Sequence, residues 1–394
     1  MLYFQPWKVA LILGICFLGV LFTYPDETQP NQRLEVAPRH GEPAPAYSKP
    51  RVAIGLLGAG SFATNTLLPE IRKVRGIELM GVCAATGTHS RHAADKFGFR
   101  YCTTDENQLF QDSSINTLVV STRHGLHARQ VLAALAAGKH VFCEKPLCLH
   151  EEELSEIVRT YSSLEAGKKG PVLVVGFNRR FAPMAVRVKA FLADLSVPLA
   201  MHYRVNAGAV PHDHWVHDPE EGGGRILGEV CHFVDFLSFL AGAPPVQVHA
   251  QSVANLGQAG GDNVSVSLQF ADGSQGTISY LANGDKAYSK ERIEVFGGGA
   301  VATIDDFRRL ELVRHGRKQT ERALWRQDKG HRGEWEALAA CIRGGQPVPI
   351  PFEDIVSTTL ATLKIVQSQA TGRTLPVNTS AFVSEALGFR PTDE

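Results

Sequence analysis

Residues 51–57, RVAIGLL, form an apolar run that breaks at GAGSFA (58–63), after which Leu67, Leu68, Ile71 and Val74 recur at helical spacing. An apolar run bounded by glycines and followed by that spacing reads as a buried strand, a tight turn and an amphipathic helix. The GxGxxA spacing at the junction admits few folds. Gly58 permits the turn, Gly60 lets a pyrophosphate approach the main chain, and the amides of Ser61, Phe62 and Ala63 offer donors at the positive end of a helix. The pattern predicts the first strand of an open parallel sheet with a dinucleotide, NAD or NADP, across its tip.

Further strand–helix units follow. Strands are expected over 77–83, 116–121, 139–143 and 172–176, with an alanine-rich helix over 126–137 ended by Gly138. An acid that reads the ribose belongs about 20 residues beyond the glycines, and the chain there has Ala84, Ala85, Thr86 and Gly87. Without a carboxylate, Thr86, His89 and Arg91 are expected to meet a 2′-phosphate, which leans the cofactor towards NADP; the alternative is that Arg91 faces water. The loop 121–127, STRHGLH, lies at the same sheet edge and brings Ser121, His124 and His127 to the nicotinamide, unless His127 is only a helix N-terminal residue.

The strand over 139–143 delivers Glu144, Lys145 and Pro146. Proline disfavours the helical region for the residue before it, so Lys145 is expected to stand extended at a strand tip beside Glu144. Arg179 and Arg180 follow the next strand and suit hydroxyl or carboxylate oxygens, with one of the two in a structural ion pair. Farther on, Val264, Val266, Leu268 and Phe270 alternate with Ser265, Ser267 and Gln269, the pattern of an antiparallel strand with one buried face. In the helix expected over 226–240, Gly228, Glu229, His232 and Asp235 lie opposite a continuous apolar stripe. Trp215, Arg225 and Asp235 are expected to line the substrate pocket with Arg179 and Arg180. Pro211 and Pro219 bracket HDHWVHD (212–218) as a loop, so helical ligand spacing does not apply there and no metal is expected.

The expected fold is therefore α/β, a Rossmann doubly wound parallel sheet over 51–176 followed over 177–380 by an α+β domain with a largely antiparallel open sheet, and a tail over 381–394. One face of the second sheet is left for a partner subunit, giving a homo-oligomer. Forty basic and forty acidic residues with no basic run argue against a nucleic-acid partner. The seven cysteines are scattered without a CxxC pair and read as reduced core thiols. Residues 9–24 are an uninterrupted apolar run behind Lys8 and are expected to be an uncleaved membrane anchor, with 25–50 a proline-rich linker. Lys8 before that run and Asp26 and Glu27 after it favour a cytoplasmic N-terminus, whereas reduced cysteines and cofactor supply favour a cytoplasmic enzyme, as a misjudged start site would also imply. Residues 1–22 resemble the start of the SecD subunit of the bacterial protein-export machinery, and the resemblance stops there.

Four segments in order, GAGSFA (58–63), HGLHARQVLAALAAGKHVFCEKPL (124–147), GFNRRFAP (176–183) and GGGRILGEVCHFVD (222–235), resemble the glucose–fructose oxidoreductase, inositol dehydrogenase and MocA family. The resemblance spans 50–376 and is closest to the C-terminal module of bacterial two-part dehydrogenases. It implies a Rossmann domain, a sheet-faced second domain and NAD(P)-linked oxidation of a secondary alcohol in a sugar, nucleotide sugar or cyclitol. By motif position Lys145 matches the lysine that acts at the substrate hydroxyl, and His232 the histidine of the second domain. The family pattern has an aspartate four residues before that histidine; here the position is Gly228, and Glu229 beside it is the candidate to complete a catalytic set with Lys145 and His232. A dinucleotide-binding sensor or assembly module without turnover, and a redox-assisted glycoside lyase or epimerase, remain the alternatives.

Overall fold

The computed structural model describes residues 33–36, 51–165, 170–253, 262–323 and 326–389. Val52–Leu57 is buried along its whole length, as a parallel strand covered on both faces must be. It is β2 of a sheet made of β1 (Arg33–Glu35), β2, β3 (Ile77–Cys83), β4 (Tyr101–Thr103), β5 (Thr117–Val120), β6 (His140–Cys143) and β7 (Leu173–Val175). The spatial order is β1-β4-β3-β2-β5-β6-β7. All neighbours are parallel except the edge pair β1 and β4. The chain leaves β2 in one direction and β5 in the other, so the crevice of a doubly wound sheet opens between their tips.

Two expectations about the N-terminal region need correction. Arg33–Glu35 lies within the segment read as a linker, yet it pairs antiparallel with Tyr101–Thr103. An edge strand needs main-chain partners more than apolar side chains, and the Arg33 guanidinium adds a contact 3.6 Å from the centre of the Tyr101 ring. The membrane assignment is also withdrawn: among the described residues no helix is long and apolar enough to cross a membrane. Residues 1–24, on which the anchor and the SecD-like stretch rested, lie outside the described residues.

The second sheet comprises β8 (Ala200–Asn206), β9 (Pro245–Ser252), β10 (Val264–Phe270), β11 (Gln275–Leu281), β12 (Glu291–Gly297), β13 (Ala300–Asp305), β14 (Arg309–Arg314), β15 (Arg317–Arg322) and β16 (Leu375–Pro376). Its order is β15-β14-β13-β12-β8-β11-β10-β9-β16. Only β8 and β11 run parallel; every other pair is antiparallel. The alternation read in β10 holds residue by residue, with Val264, Val266, Leu268 and Phe270 buried and Ser265, Ser267 and Gln269 exposed.

The helix expected over 226–240 is a π turn, Ile226–Val230, continued by an α-helix, Cys231–Ala241. It has no wet side. His232 and Asp235 are buried along with the apolar stripe, because the helix packs against the turn Asn178–Phe181 and the long helix Phe352–Thr371 as well as the second sheet. After β15 the chain returns to the first sheet. Helix His331–Ile342 sets Trp335 against Phe142 of β6, ring centroids 4.6 Å apart, and His331 edge-on to Phe62 at 5.9 Å.

Candidate active site

Gly58 lies where the sheet edge closes on the loop after β5. Its φ is +92° and its N–H donates to the Cys83 carbonyl at 2.9 Å. A Cβ there would lie 2.4 Å from the Ser121 carbonyl oxygen, so the loop after β5 leaves room for glycine alone. At Gly60 a Cβ would meet nothing within 4 Å, which leaves an open approach to the amides at the start of the helix. Ala63 is fully buried and holds that helix to the sheet. These residues fit a dinucleotide pyrophosphate.

At the adenosine end the side chains have other partners. The Thr86 hydroxyl caps helix Gly87–Phe97, accepting from the His89 N–H at 3.4 Å and lying 3.0 Å from His89 Nδ1. Arg91, expected to face a phosphate, turns instead to Asp95 one helical turn on, at 2.7 Å. That pairing follows the i,i+4 geometry of a helix surface.

The loop 121–127 separates its two histidines. His127 opens helix His127–Ala136 and is fully buried, with Nδ1 2.7 Å from the Pro146 carbonyl and Nε2 3.2 Å from the Thr122 carbonyl. It ties the loop to the turn that carries Lys145. A neutral imidazole can donate to only one of these two carbonyls, and the fully buried ring leaves no face open to a ligand, so the expected cofactor contact by His127 is corrected. His124 is also buried, but its ring faces the second sheet's side of the crevice. Nδ1 lies 2.8 Å from the Gly222 carbonyl, and the ring packs edge-on to Trp215 at 4.8 Å. Burial, then the nearby Lys145 and His127, push its pKa down to about 3, so the neutral ring donates from Nδ1. Trp215 in turn lines a recess with Arg123, His212, His217 and Glu221, and the Arg123 guanidinium lies 5.7 Å over its ring. Among the described residues no group of three or more histidine, cysteine or acidic side chains is placed to hold a metal ion.

Lys145 stands at the tip of β6, before a cis peptide bond to Pro146. Its Nζ donates to the Gly228 carbonyl oxygen at 2.7 Å. The first sheet and the π turn thus meet at this lysine. Glu229, the next residue, is half-buried. Burial alone would raise its carboxyl, but Lys145, Lys290, Arg225 and Arg179 outweigh that and hold it below the usual carboxylate range. His232 lies one turn farther along. Burial, with Arg179 and Lys145 adding positive charge, holds its imidazole well below the ordinary range. The ring is neutral; Nδ1 is buried without a partner, whereas Nε2 is not sealed off.

Four residues expected to hold substrate are committed elsewhere. Arg179 grips Glu291 with two bonds, 2.8 and 3.0 Å, and Glu291 also takes Lys329 at 2.5 Å and the Tyr203 hydroxyl at 2.6 Å. Arg180 pairs with Asp235 at 2.5 Å and with Asp354 at 3.2 Å, and both Arg180 and Asp235 are buried. Arg225 donates to the Gly208 carbonyl at 2.9 Å beside Asp262. Buried guanidinium groups need such partners, so both arginines after β7 are structural where one had been expected to be. Lys290 and Glu291 were not read from the sequence as site residues. Glu291 could have been: it shares a strand face with Ile293 and Val295, which places a carboxylate inward and calls for a cation.

Two family models match the chain. Residues 52–177 match the oxidoreductase family with an NAD-binding Rossmann fold, and 196–302 match the GFO/IDH/MocA C-terminal domain. The inositol 2-dehydrogenase of Rhizobium meliloti is 31% identical over 260 residues, 64% of this chain and 75% of that protein. The myo-inositol 2-dehydrogenase of Thermotoga maritima is 24% identical over 76% of this chain and 91% of its own length. Among solved structures, a levoglucosan dehydrogenase in complex with NADH and levoglucosan shares the fold with a TM-score of 0.72 at 22% identity, covering 83% of this chain and all of that one. With the parallel sheet, the mixed second sheet and this degree of identity, the chain belongs to the Gfo/Idh/MocA family of oxidoreductases.

Proposed function

We propose that this protein is an NAD(P)-dependent dehydrogenase or reductase that moves a hydride between nicotinamide and a secondary alcohol carbon of a sugar, nucleotide sugar or cyclitol. The observation that carries the reading is the bond from Lys145 to Gly228, which joins the tip of the dinucleotide-binding sheet to the helix bearing His232. Relatives named for inositol and levoglucosan support a polyhydroxylated ring as the substrate class.

In this reading Gly58, Gly60 and the amides of Ser61, Phe62 and Ala63 hold the pyrophosphate, and bound NAD(P) supplies the hydride acceptor. Lys145 donates an N–H to the substrate oxygen and favours the negative charge that builds there as the alcohol is oxidised. His232, neutral and with Nε2 open, is where the hydroxyl proton ends. Glu229 balances the cations around the oxygen. Trp215 forms a wall for the ring. NADP is the preferred nucleotide in this reading: residues 84–87 present no carboxylate to repel a 2′-phosphate, and the positive end of helix Gly87–Phe97 lies there. A second copy of the chain covers the open face of the second sheet.

The test is a panel of cyclitols, aldoses, anhydrosugars and nucleotide sugars assayed with both nucleotides, together with dissociation constants for NADH and NADPH. Turnover on at least one neutral polyol with tighter NADPH binding is expected. Tight nucleotide binding with no turnover on any compound would support a sensor module instead, and product formation with no net change in cofactor would support a lyase or epimerase.

A further inference from the structure

Position 228 is confined from one side and used from the other. A Cβ on Gly228 would lie 2.8 Å from His124 Cε1, closer than such carbons approach in folded proteins. His124 cannot easily yield, because Nδ1 is bonded to the Gly222 carbonyl at 2.8 Å and the ring is wedged between Trp215 and His127. What position 228 still offers is its carbonyl, and that oxygen accepts from Lys145 Nζ at 2.7 Å. It lies in a π turn, where the i→i+4 ladder is interrupted and main-chain groups take other partners. Among the described residues Lys145 forms no ion pair with a carboxylate; its side-chain bond is to this carbonyl.

The partner's chemistry matters. A carboxylate binds an ammonium far better than an amine and resists loss of the proton. A carbonyl accepts an N–H from either form, so the amine keeps its place after giving up a proton. We propose that His124 is a positioning residue which, by filling the space beside position 228, requires glycine there and gives Lys145 a main-chain carbonyl that holds it through both protonation states. Lys145 can then pass a proton to His232 and take one from the substrate. In alcohol oxidation the C–H pair leaves as hydride to the nicotinamide, the O–H pair becomes the second C–O bond, and the proton released ends on His232. The inference rests on the reading of Lys145 as the group at the substrate oxygen.

A double-mutant cycle tests it, read both as kcat and as melting temperature of the ligand-free protein. Gly228→Ala in the wild-type background should lower kcat by at least about ten-fold and the melting temperature by several degrees, as overpacking does. In the His124→Ala background the same substitution should change kcat by less than about two-fold and the melting temperature by about a degree or less. Equal losses in both backgrounds would overturn the proposal; His124→Ser serves the cycle if His124→Ala does not fold. In a second arm, His124→Ala/Gly228→Asp should move the acid limb of kcat/KM for oxidation at least about one pH unit higher than in His124→Ala/Gly228→Ala. No movement would overturn the role given to the carbonyl. Lys145→Ala is measured in parallel: near-normal turnover would sink the reading of Lys145 itself, whereas lost turnover with an additive cycle would sink only the role of His124.

Discussion

Glu144 ties the stability of the fold to pH. It is buried beside Lys145, with Glu334, also buried, across from it. Burial raises its pKa to about 7 against the lowering effect of Lys145. A carboxyl with a folded-state pKa above its ordinary value near 4.5 binds its proton more tightly when folded. The stability this gives is complete below the ordinary value and is lost as pH rises through about 7. At about 1.4 kcal/mol per unit the loss is on the order of 3 kcal/mol, and Glu334, raised in the same direction, adds to it. Glu144→Gln has no proton to lose. The melting temperature of the variant minus that of the wild type should be about 5 °C more positive at pH 8 than at pH 5; a difference independent of pH would mean that Glu144 is ionised throughout. The places of Lys145 at a strand tip and His232 on a helix were legible because each has a local signature, a strand before Pro146 and a turn of helix after a glycine run. The second role of His124 was not. It depends on a contact with Gly228, 104 positions away, that no local pattern encodes.

Elements were read best where side-chain period alone decides them. The strand β10 follows its alternation at every residue, and β2 and β3 were legible from their apolar runs. The π turn Ile226–Val230 was not, since no residue type marks one and the apolar spacing fits an α-helix as well. The same limit hid the burial of Asp235: its partner Arg180 lies on another element, and a polar side chain on a helix looks solvent-facing until that partner is known. The exposed face of the second sheet carries a further consequence. Ser265, Ser267, Gln269 and His202 present short or polar groups, and Phe296 is an exposed aromatic on the same face, a mixture that suits a second sheet packed against it. Light scattering should give a multiple of the 42.9 kDa chain, and Ser267→Arg with Phe296→Glu should reduce it to the monomer. A wild-type monomer at micromolar concentration would exclude this face as a subunit interface.

At the scale of the whole molecule, the crevice is assembled from distant parts of the chain. The nucleotide edge comes from residues 58–63, the lysine from the tip of β6, the histidine from the helix before β9, and the floor under Phe142 and Phe62 from helix His331–Ile342. The order of the four motifs made the two-sheet plan readable, because strand–helix alternation and strand–strand alternation differ in period. The return of residues 331–342 to the first sheet was not readable, since an amphipathic helix does not say which apolar surface it covers. Lys145, at the tip of the first sheet, meets the turn leading into the helix of His232, and the proposed reaction needs it at the substrate oxygen. Replacing Lys145 by alanine is the decisive experiment, with turnover on the best substrate of the panel, nucleotide affinity and melting temperature all measured on the same preparation. A fall in kcat of about 10²- to 10⁴-fold is expected, with nucleotide affinity within about three-fold and melting within a few degrees of the wild type. A folded, nucleotide-binding Lys145→Ala protein that turns over at close to the wild-type rate would mean that Lys145 does not act at the substrate oxygen.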